Sequence, residues 1–109
     1  MRLTLEQQQI IIKTFSSIFK KNSALFLYGS RVDDKKKGGD IDLLIITDDE
    51  EEKKIAMGKK LDFIVTLKLE LGDQKIDCLI LSKSELNTHL FYQTIKDEMV
   101  MLHRLLPNP

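Results

Sequence analysis

Apolar and polar positions divide the first half of the chain into one helix and two strands. After Thr4, apolar residues recur at intervals of three and four, which predicts an amphipathic helix over residues 5–20. Thr4 and Gln7 have the spacing of a capping box at its start. Residues 24–28 are apolar throughout and predict a short strand buried on both faces. Residues 40–46 predict a second strand, which opens with two carboxylates.

Residues 53–71 fit two patterns. Apolar residues at helical spacing favour a helix that ends before Gly72, since glycine is the usual residue just past a helix end. Within residues 63–71, however, apolar and polar positions also alternate as in a strand, which would form a hairpin with the next segment. We favour the helix and leave the strand as the alternative.

The last third of the chain predicts one strand and one helix. Residues 75–81 form the third apolar run, and Ser82 with Glu85 has the form of a second capping box. Apolar residues at helical spacing then predict a final helix that reaches about residue 103. The order helix, strand, strand, helix, strand, helix predicts an α/β (α+β) fold.

The positions of the polar residues at the strand ends predict the strand directions. Gly29 ends the first strand and Asp40 begins the second, so they can share a site only if these strands are antiparallel. Asp77, near the start of the third strand, can join that site only if the third strand is parallel to the second. We therefore expect a three-stranded mixed sheet in the order 1-2-3, with a right-handed helical crossover, the helices on one face and the acids at one end.

Composition sets the class of protein. A length of 109 residues, with 42% hydrophobic and 31% charged residues, predicts one globular domain over residues 1–109. Seventeen basic and seventeen acidic residues balance, so no direct binding of nucleic acid is expected. The single cysteine, Cys78, allows neither an internal disulfide nor a cysteine-rich metal site. No leader and no membrane-spanning stretch is evident, which favours a cytoplasmic protein.

Two acidic clusters have different predicted roles. Asp40 and Asp42 lie on the same face of a strand, with Cα atoms about 7 Å apart, and both can approach one ion. Carboxylates at the mouth of an apolar strand are poor for packing but suit Mg²⁺, which prefers oxygen ligands. The acidic run over residues 48–52 is instead interpreted as a solvated helix start, because acids there are stabilised by the helix dipole.

The pattern resembles a known signature. Gly29-Ser30, nine further residues, Asp40-Ile41-Asp42 and the later Asp77 are similar to the nucleotidyltransferase signature of the polymerase-β-like superfamily. More narrowly, the chain resembles the minimal nucleotidyltransferases (MNT) that are encoded beside HEPN-domain proteins, and this resemblance spans residues 5–103.

The resemblance implies a nucleotidyltransferase fold and a set of roles. Asp40, Asp42 and Asp77 would be catalytic and would hold two Mg²⁺ ions, or Mn²⁺ in their place. Gly29 and Ser30 would bind the β- and γ-phosphates of the nucleotide. Arg31, together with the lysines at 35–37, would neutralise the triphosphate, with contact to a partner or plain solvation as equal alternatives for these cations.

The implied activity is transfer of AMP from ATP to a hydroxyl, with a tyrosine of a HEPN toxin as the acceptor, so that the protein acts as an antitoxin. One alternative is a binding module that neutralises a HEPN protein without catalysis. Another is transfer to a small molecule, which the short chain disfavours because little surface remains to enclose a second substrate. The nucleotide base and the oligomeric state, a homo-oligomer included, stay open at this point.

Overall fold

We describe the protein from a computed structural model over residues 1–19, 22–33 and 39–106. In these residues the helices are α1 (Leu5–Phe19), α2 (Glu50–Leu71) and α3 (Leu90–Ile95). The strands are β1 (Ser23–Tyr28), β2 (Ile41–Thr47), β3 (Ile76–Ser82) and β4 (Val100–Leu105). Short 3₁₀ turns follow β1, at Gly29–Val32, and β3, at Lys83–Glu85. The predicted end of the first helix, at residue 20, lies outside the described residues.

The sheet confirms the predicted fold class and strand directions. In the described part of the chain, four strands form one sheet in the order β3-β2-β1-β4. β1 is antiparallel to β2, and β2 is parallel to β3, with α2 as the connection between them. The order and directions of the first three strands are therefore as predicted, and the fourth strand is an addition to them.

The predicted final helix is wrong. Ser82 and Glu85 do form the expected capping box, in which the Ser82 N–H donates to Glu85 Oε2 at 3.2 Å, but it opens only a 3₁₀ turn. The six-residue α3 follows, and residues 100–105 then pair antiparallel with β1 as β4. The outer edge of β1 would otherwise present unpaired N–H and C=O groups, and these favour a strand at this position.

The two faces of the sheet carry separate cores, so the helices do not all lie on one face as predicted. α1 and α2 cover one face, where Phe15, Phe63 and the inward residues of the strands are buried. The opposite face carries a smaller cluster, of which Leu44 is part, and residues of α3 such as Tyr92 and Ile95 pack against it. The helical spacing near the C-terminal end thus belongs to short elements packed on this second face.

α1 begins at its predicted capping box, and α2 ends where the sequence predicts. The Thr4 hydroxyl accepts from the Gln7 N–H at 3.0 Å, and the Gln7 side chain accepts from the Thr4 N–H at 2.9 Å. α2 is a continuous helix through residues 63–71, which excludes the strand alternative. It ends at Gly72, whose φ of +89° favours glycine. None of the helices in the described segments is both long and apolar enough to cross a membrane.

Candidate active site

The 3₁₀ turn after β1 brings backbone close to a carboxylate. Gly29 has a φ of +79°, a conformation that residues with a Cβ rarely adopt. A Cβ at this position would also collide with Oδ2 of Asp42 and lie 3.2 Å from its Cγ. Glycine is therefore required on both counts, and the close approach to Asp42 explains why an apolar strand ends here in Gly29-Ser30.

Arg2 anchors this turn. Its guanidinium donates from Nη2 to the Ser30 carbonyl at 3.0 Å and from Nε to the Asp33 carbonyl at 3.2 Å. Its backbone N–H donates to the Arg31 carbonyl at 2.6 Å. Within the described residues the Ser30 hydroxyl has no hydrogen-bond partner, so it is available to a ligand. Sequence reasoning missed Arg2, because a single arginine before the first helix gives no pattern.

Arg31 connects the turn to two neighbouring loops. Its Nη1 donates to the Arg2 carbonyl at 2.8 Å, and its Nη2 donates to the Gly39 carbonyl and to Gln74 Oε1, both at 3.0 Å. Gly39 precedes β2 and Gln74 precedes β3, so Arg31 holds together the three segments that lead into the site. Contact between Arg31 and a nucleotide stays a prediction. The lysines at 35–37 lie outside the described residues.

The sheet register brings two of the predicted acids side by side. Asp42 on β2 is the register partner of Asp77 on parallel β3 and of Tyr28 on antiparallel β1. These three side chains project to the face that carries α3, since their neighbours along each strand face α1 and α2. Asp40 directly precedes β2 and is half-buried, whereas the sequence prediction placed it inside the strand.

The acids concentrate negative charge. Partial burial of Asp42 raises the pKa of its carboxyl, and the nearby charges of Asp77 and Asp40 raise it further, against an opposing effect of Lys75. None of the three acids forms an ion pair with a described residue. The β1 turn, the acids and the serine hydroxyl therefore lie together at the start of β2 and β3, and we name this group of residues the anionic cleft.

The sequence model of the family described as "Polymerase beta, Nucleotidyltransferase" matches residues 9–104. This span includes the glycine-serine turn and all three acids. The chain belongs to the polymerase β nucleotidyltransferase family. No curated protein matches the chain.

The acids of this nucleotidyltransferase domain fit a hard cation. They offer only carboxylate oxygens, and a bound divalent ion would offset the repulsion that raises the pKa of Asp42. Among the described residues, however, no three side chains of His, Cys, Asp or Glu stand close enough together to form a ready-made metal site. Asp40 is the member that the β2–β3 ladder does not hold, because it precedes the strand.

Aromatic rings line the cleft beside the acids. The rings of Tyr28 and Phe91 meet edge to face, with centroids 5.6 Å apart and planes at 74°. Burial raises the pKa of Tyr28 to about 12, with further contributions from Asp42 and Asp77, so its phenol stays neutral. Sequence reasoning missed both rings. The position of Tyr28 directly before Gly29 was an available signal, whereas Phe91 lay hidden in the predicted long helix.

The acidic run at the start of α2 has the predicted structural role. Asp49 caps the helix by accepting from the Glu52 N–H at 2.8 Å, and acids occupy the first turn. Glu50 also accepts hydrogen bonds from the hydroxyls of Ser82 and Ser84, which joins the start of α2 to the end of β3. This run is thus a helix start, separate from the anionic cleft.

Proposed function

We propose that this protein transfers AMP from ATP to a hydroxyl group with the help of divalent metal ions. Membership of the nucleotidyltransferase family supports nucleotidyl transfer in general. The observation that carries the finer proposal is the approach of the Gly29 backbone to Asp42, which is itself in register with Asp77. This arrangement places a turn suited to phosphate beside acids suited to Mg²⁺.

Each residue of the cleft then has a distinct role. Asp42 and Asp77, with Asp40 beside them, would hold two Mg²⁺ ions, or Mn²⁺. When bound, these ions supply charge stabilisation at the attacking and leaving oxygens. The Ser30 hydroxyl would donate to a terminal phosphate, and Gly29 would let the phosphates approach the backbone. Arg2 and Arg31 act as positioning residues. Arg2 donates to the Ser30 carbonyl of the turn, and Arg31 ties the turn to the Arg2 carbonyl and to Gln74.

The reaction is an in-line displacement at the α-phosphorus. The acceptor oxygen forms a bond to this phosphorus, while the bond to the bridging oxygen breaks and pyrophosphate leaves. Asp77 is exposed and would accept the proton that the acceptor hydroxyl loses. Such chemistry depends mainly on positioning and on charge stabilisation, both of which the cleft can supply.

We further propose that the acceptor is a tyrosine of a HEPN-domain toxin in the cytoplasm, and that the protein is its antitoxin. Most of the described residues belong to one sheet and its helices, so little surface remains that could enclose a small acceptor. Phe91, which is 46% exposed, presents an aromatic surface against Tyr28, the register partner of Asp42. An aromatic acceptor carried by a partner protein suits that surface. Transfer would add negative charge and bulk to the toxin and so inactivate it.

The test combines the purified protein, its HEPN partner, Mg²⁺ and α-labelled ATP, followed by mass measurement of the partner. The expected result is the added mass of AMP, lost with Asp42→Asn and with Asp77→Asn. Asp73→Asn is the matched control, since Asp73 is an exposed acid in the loop before β3 and should leave transfer intact. Omission of Mg²⁺ should also abolish the label.

A second candidate function is a binding module that neutralises a HEPN protein without catalysis. The observation that favours it is that no three potential metal ligands converge among the described residues. Under this alternative the partner is inhibited by stoichiometric complex formation, its mass does not change, and Asp42→Asn inhibits as well as the wild type. That combination of results would overturn the catalytic proposal.

A further inference from the structure

Helix α2 has two apolar faces, and the fold uses only one of them. Residues four apart form rows along a helix, so α2 can be described by four such rows. The row that includes Phe63 and Leu67 is buried against the sheet and α1. The opposite row, which we name the outer row, consists of Met57, Leu61, Val65 and Leu69.

The outer row is strongly exposed. The exposed fraction is 49% for Met57, 47% for Val65, 72% for Leu61 and 82% for Leu69. The row runs along about 18 Å of helix, at 1.5 Å per residue. Single exposed apolar side chains are ordinary, but a contiguous exposed row marks an interaction surface. Nothing in the packing of α2 on the sheet requires these four residues to be apolar.

Over residues 58–70, the two rows that flank the outer row carry opposite charge. On one side lie Asp62 and Glu70, which form the acidic flank. On the other side lie Lys60 and Lys68, which form the basic flank. None of these four side chains forms an ion pair with a described residue. Asp62, Lys68 and Glu70 are exposed, and Lys60 is half-buried. The surface is therefore an apolar ridge between an acidic and a basic edge.

We propose that the outer row binds the outer row of a second copy of this chain, with the two α2 helices parallel about a two-fold axis. In this arrangement the acidic flank of one copy faces the basic flank of the other, on both sides of the ridge. In an antiparallel arrangement the acidic flank of one copy would face the acidic flank of the other, and the two basic flanks would also face each other. The pattern of charge thus selects both the partner and its direction.

The dimer leaves the nucleotidyltransferase cleft of each copy accessible. Asp42 and Asp77 project from the opposite face of the sheet, and the outer row points away from the sheet altogether. Gly58 lies next to the row, and no atom lies within 4 Å of the position its Cβ would occupy. A second helix can therefore approach closely there.

The test measures molecular mass by sedimentation and light scattering over a concentration series. The wild type should dimerise, and Leu61→Glu combined with Leu69→Glu should be monomeric. Leu90→Glu, which changes an 84% exposed leucine on α3, is the matched control and should remain dimeric. Circular dichroism checks that each variant is folded. A wild type that is monomeric throughout overturns the proposal, as does a dimer that survives both substitutions on α2.

Charge reversal tests the direction of the helices. Asp62→Lys combined with Glu70→Lys makes both flanks basic and should weaken a parallel dimer at least several-fold. Addition of Lys60→Glu and Lys68→Glu exchanges the flanks and should restore the original affinity. In an antiparallel dimer the facing flanks already carry like charge, so Asp62→Lys combined with Glu70→Lys would leave its affinity unchanged. That result would overturn the parallel arrangement. Higher salt should reduce all of these differences.

Discussion

Replacement of Gly29 by alanine should destabilise the protein through two separable effects. The φ of +79° costs a residue with a Cβ about 1–2 kcal/mol. The added Cβ also collides with the carboxylate of Asp42, which must leave its rotamer at a further cost of about 0.5–1.5 kcal/mol. We therefore expect the free energy of unfolding to fall by about 1.5–3.5 kcal/mol. Nucleotide binding should fall as well, because Asp42 is displaced.

The assay is urea unfolding followed by circular dichroism, where a loss of this size shifts the midpoint by about 1 M. Two other glycines supply controls. Gly72→Ala introduces a strained φ of +89° without any collision, so it should show the backbone effect alone. Gly58→Ala meets no neighbour within its own chain, so at a protein concentration where the protein is monomeric it should stabilise the protein by about 0.5–1 kcal/mol.

A double-mutant cycle isolates the collision with Asp42. In an Asp42→Ala background, Gly29→Ala should cost less than in the wild type, by about 0.5–1.5 kcal/mol. Equal costs in both backgrounds would show that the Gly29 backbone does not approach the carboxylate. A Gly29→Ala variant as stable as Gly58→Ala would refute the whole line of reasoning, including the left-handed turn.

Three further predictions concern titration, reactivity and a buried hydroxyl. Folding raises the pKa of Asp42. The charged carboxylate therefore destabilises the native state to its full extent at a pH above this raised pKa, and has no such effect at a pH below the pKa of an unfolded aspartate. Asp42→Asn should therefore raise the melting temperature at neutral pH, with a gain that disappears on acidification, and Asp73→Asn should show no such gain. Burial raises the pKa of Cys78 to about 12, so a thiol reagent at mildly alkaline pH should react only after unfolding, and rapid labelling of the native protein would contradict its burial. Ser82→Ala removes a buried hydroxyl bonded to two glutamates and should cost about 2 kcal/mol in chemical unfolding, whereas the exposed hydroxyl of Thr88 should be dispensable.

The fold could be predicted where the pattern of apolar and polar residues fits only one type of secondary structure. Short continuous apolar runs marked the first three strands, and the positions of Gly29, Asp40 and Asp77 predicted the strand directions that the sheet has. The ambiguity over residues 63–71 has a physical origin. α2 is apolar on two opposite faces there, and two apolar faces of a helix imitate the alternation of a strand.

The prediction of a helix in the C-terminal segment was wrong for a different reason. Apolar spacing of three and four from residue 86 onward suggested one helix, but these residues are divided among α3, β4 and the segments that precede each of them. What makes residues 100–105 a strand is the open edge of β1, a long-range partner that local pattern does not reveal. The role of Arg2 could not be predicted for the same reason, because the Ser30 and Asp33 carbonyls to which it donates lie about 30 residues away along the chain.

β3 forms one border of the sheet, and this position gives Asp77 a consequence for aggregation. The strand is an apolar run in which Asp77 is the only charged residue, and its outer edge presents backbone groups that could template pairing with another chain. A charge on such an edge acts as a gatekeeper. It also resists slippage, because a shift of one residue would bury the carboxylate between the sheet and α2. Exchange of Asp77 for valine or leucine should therefore lower the solubility of the protein, whether or not this acid takes part in catalysis.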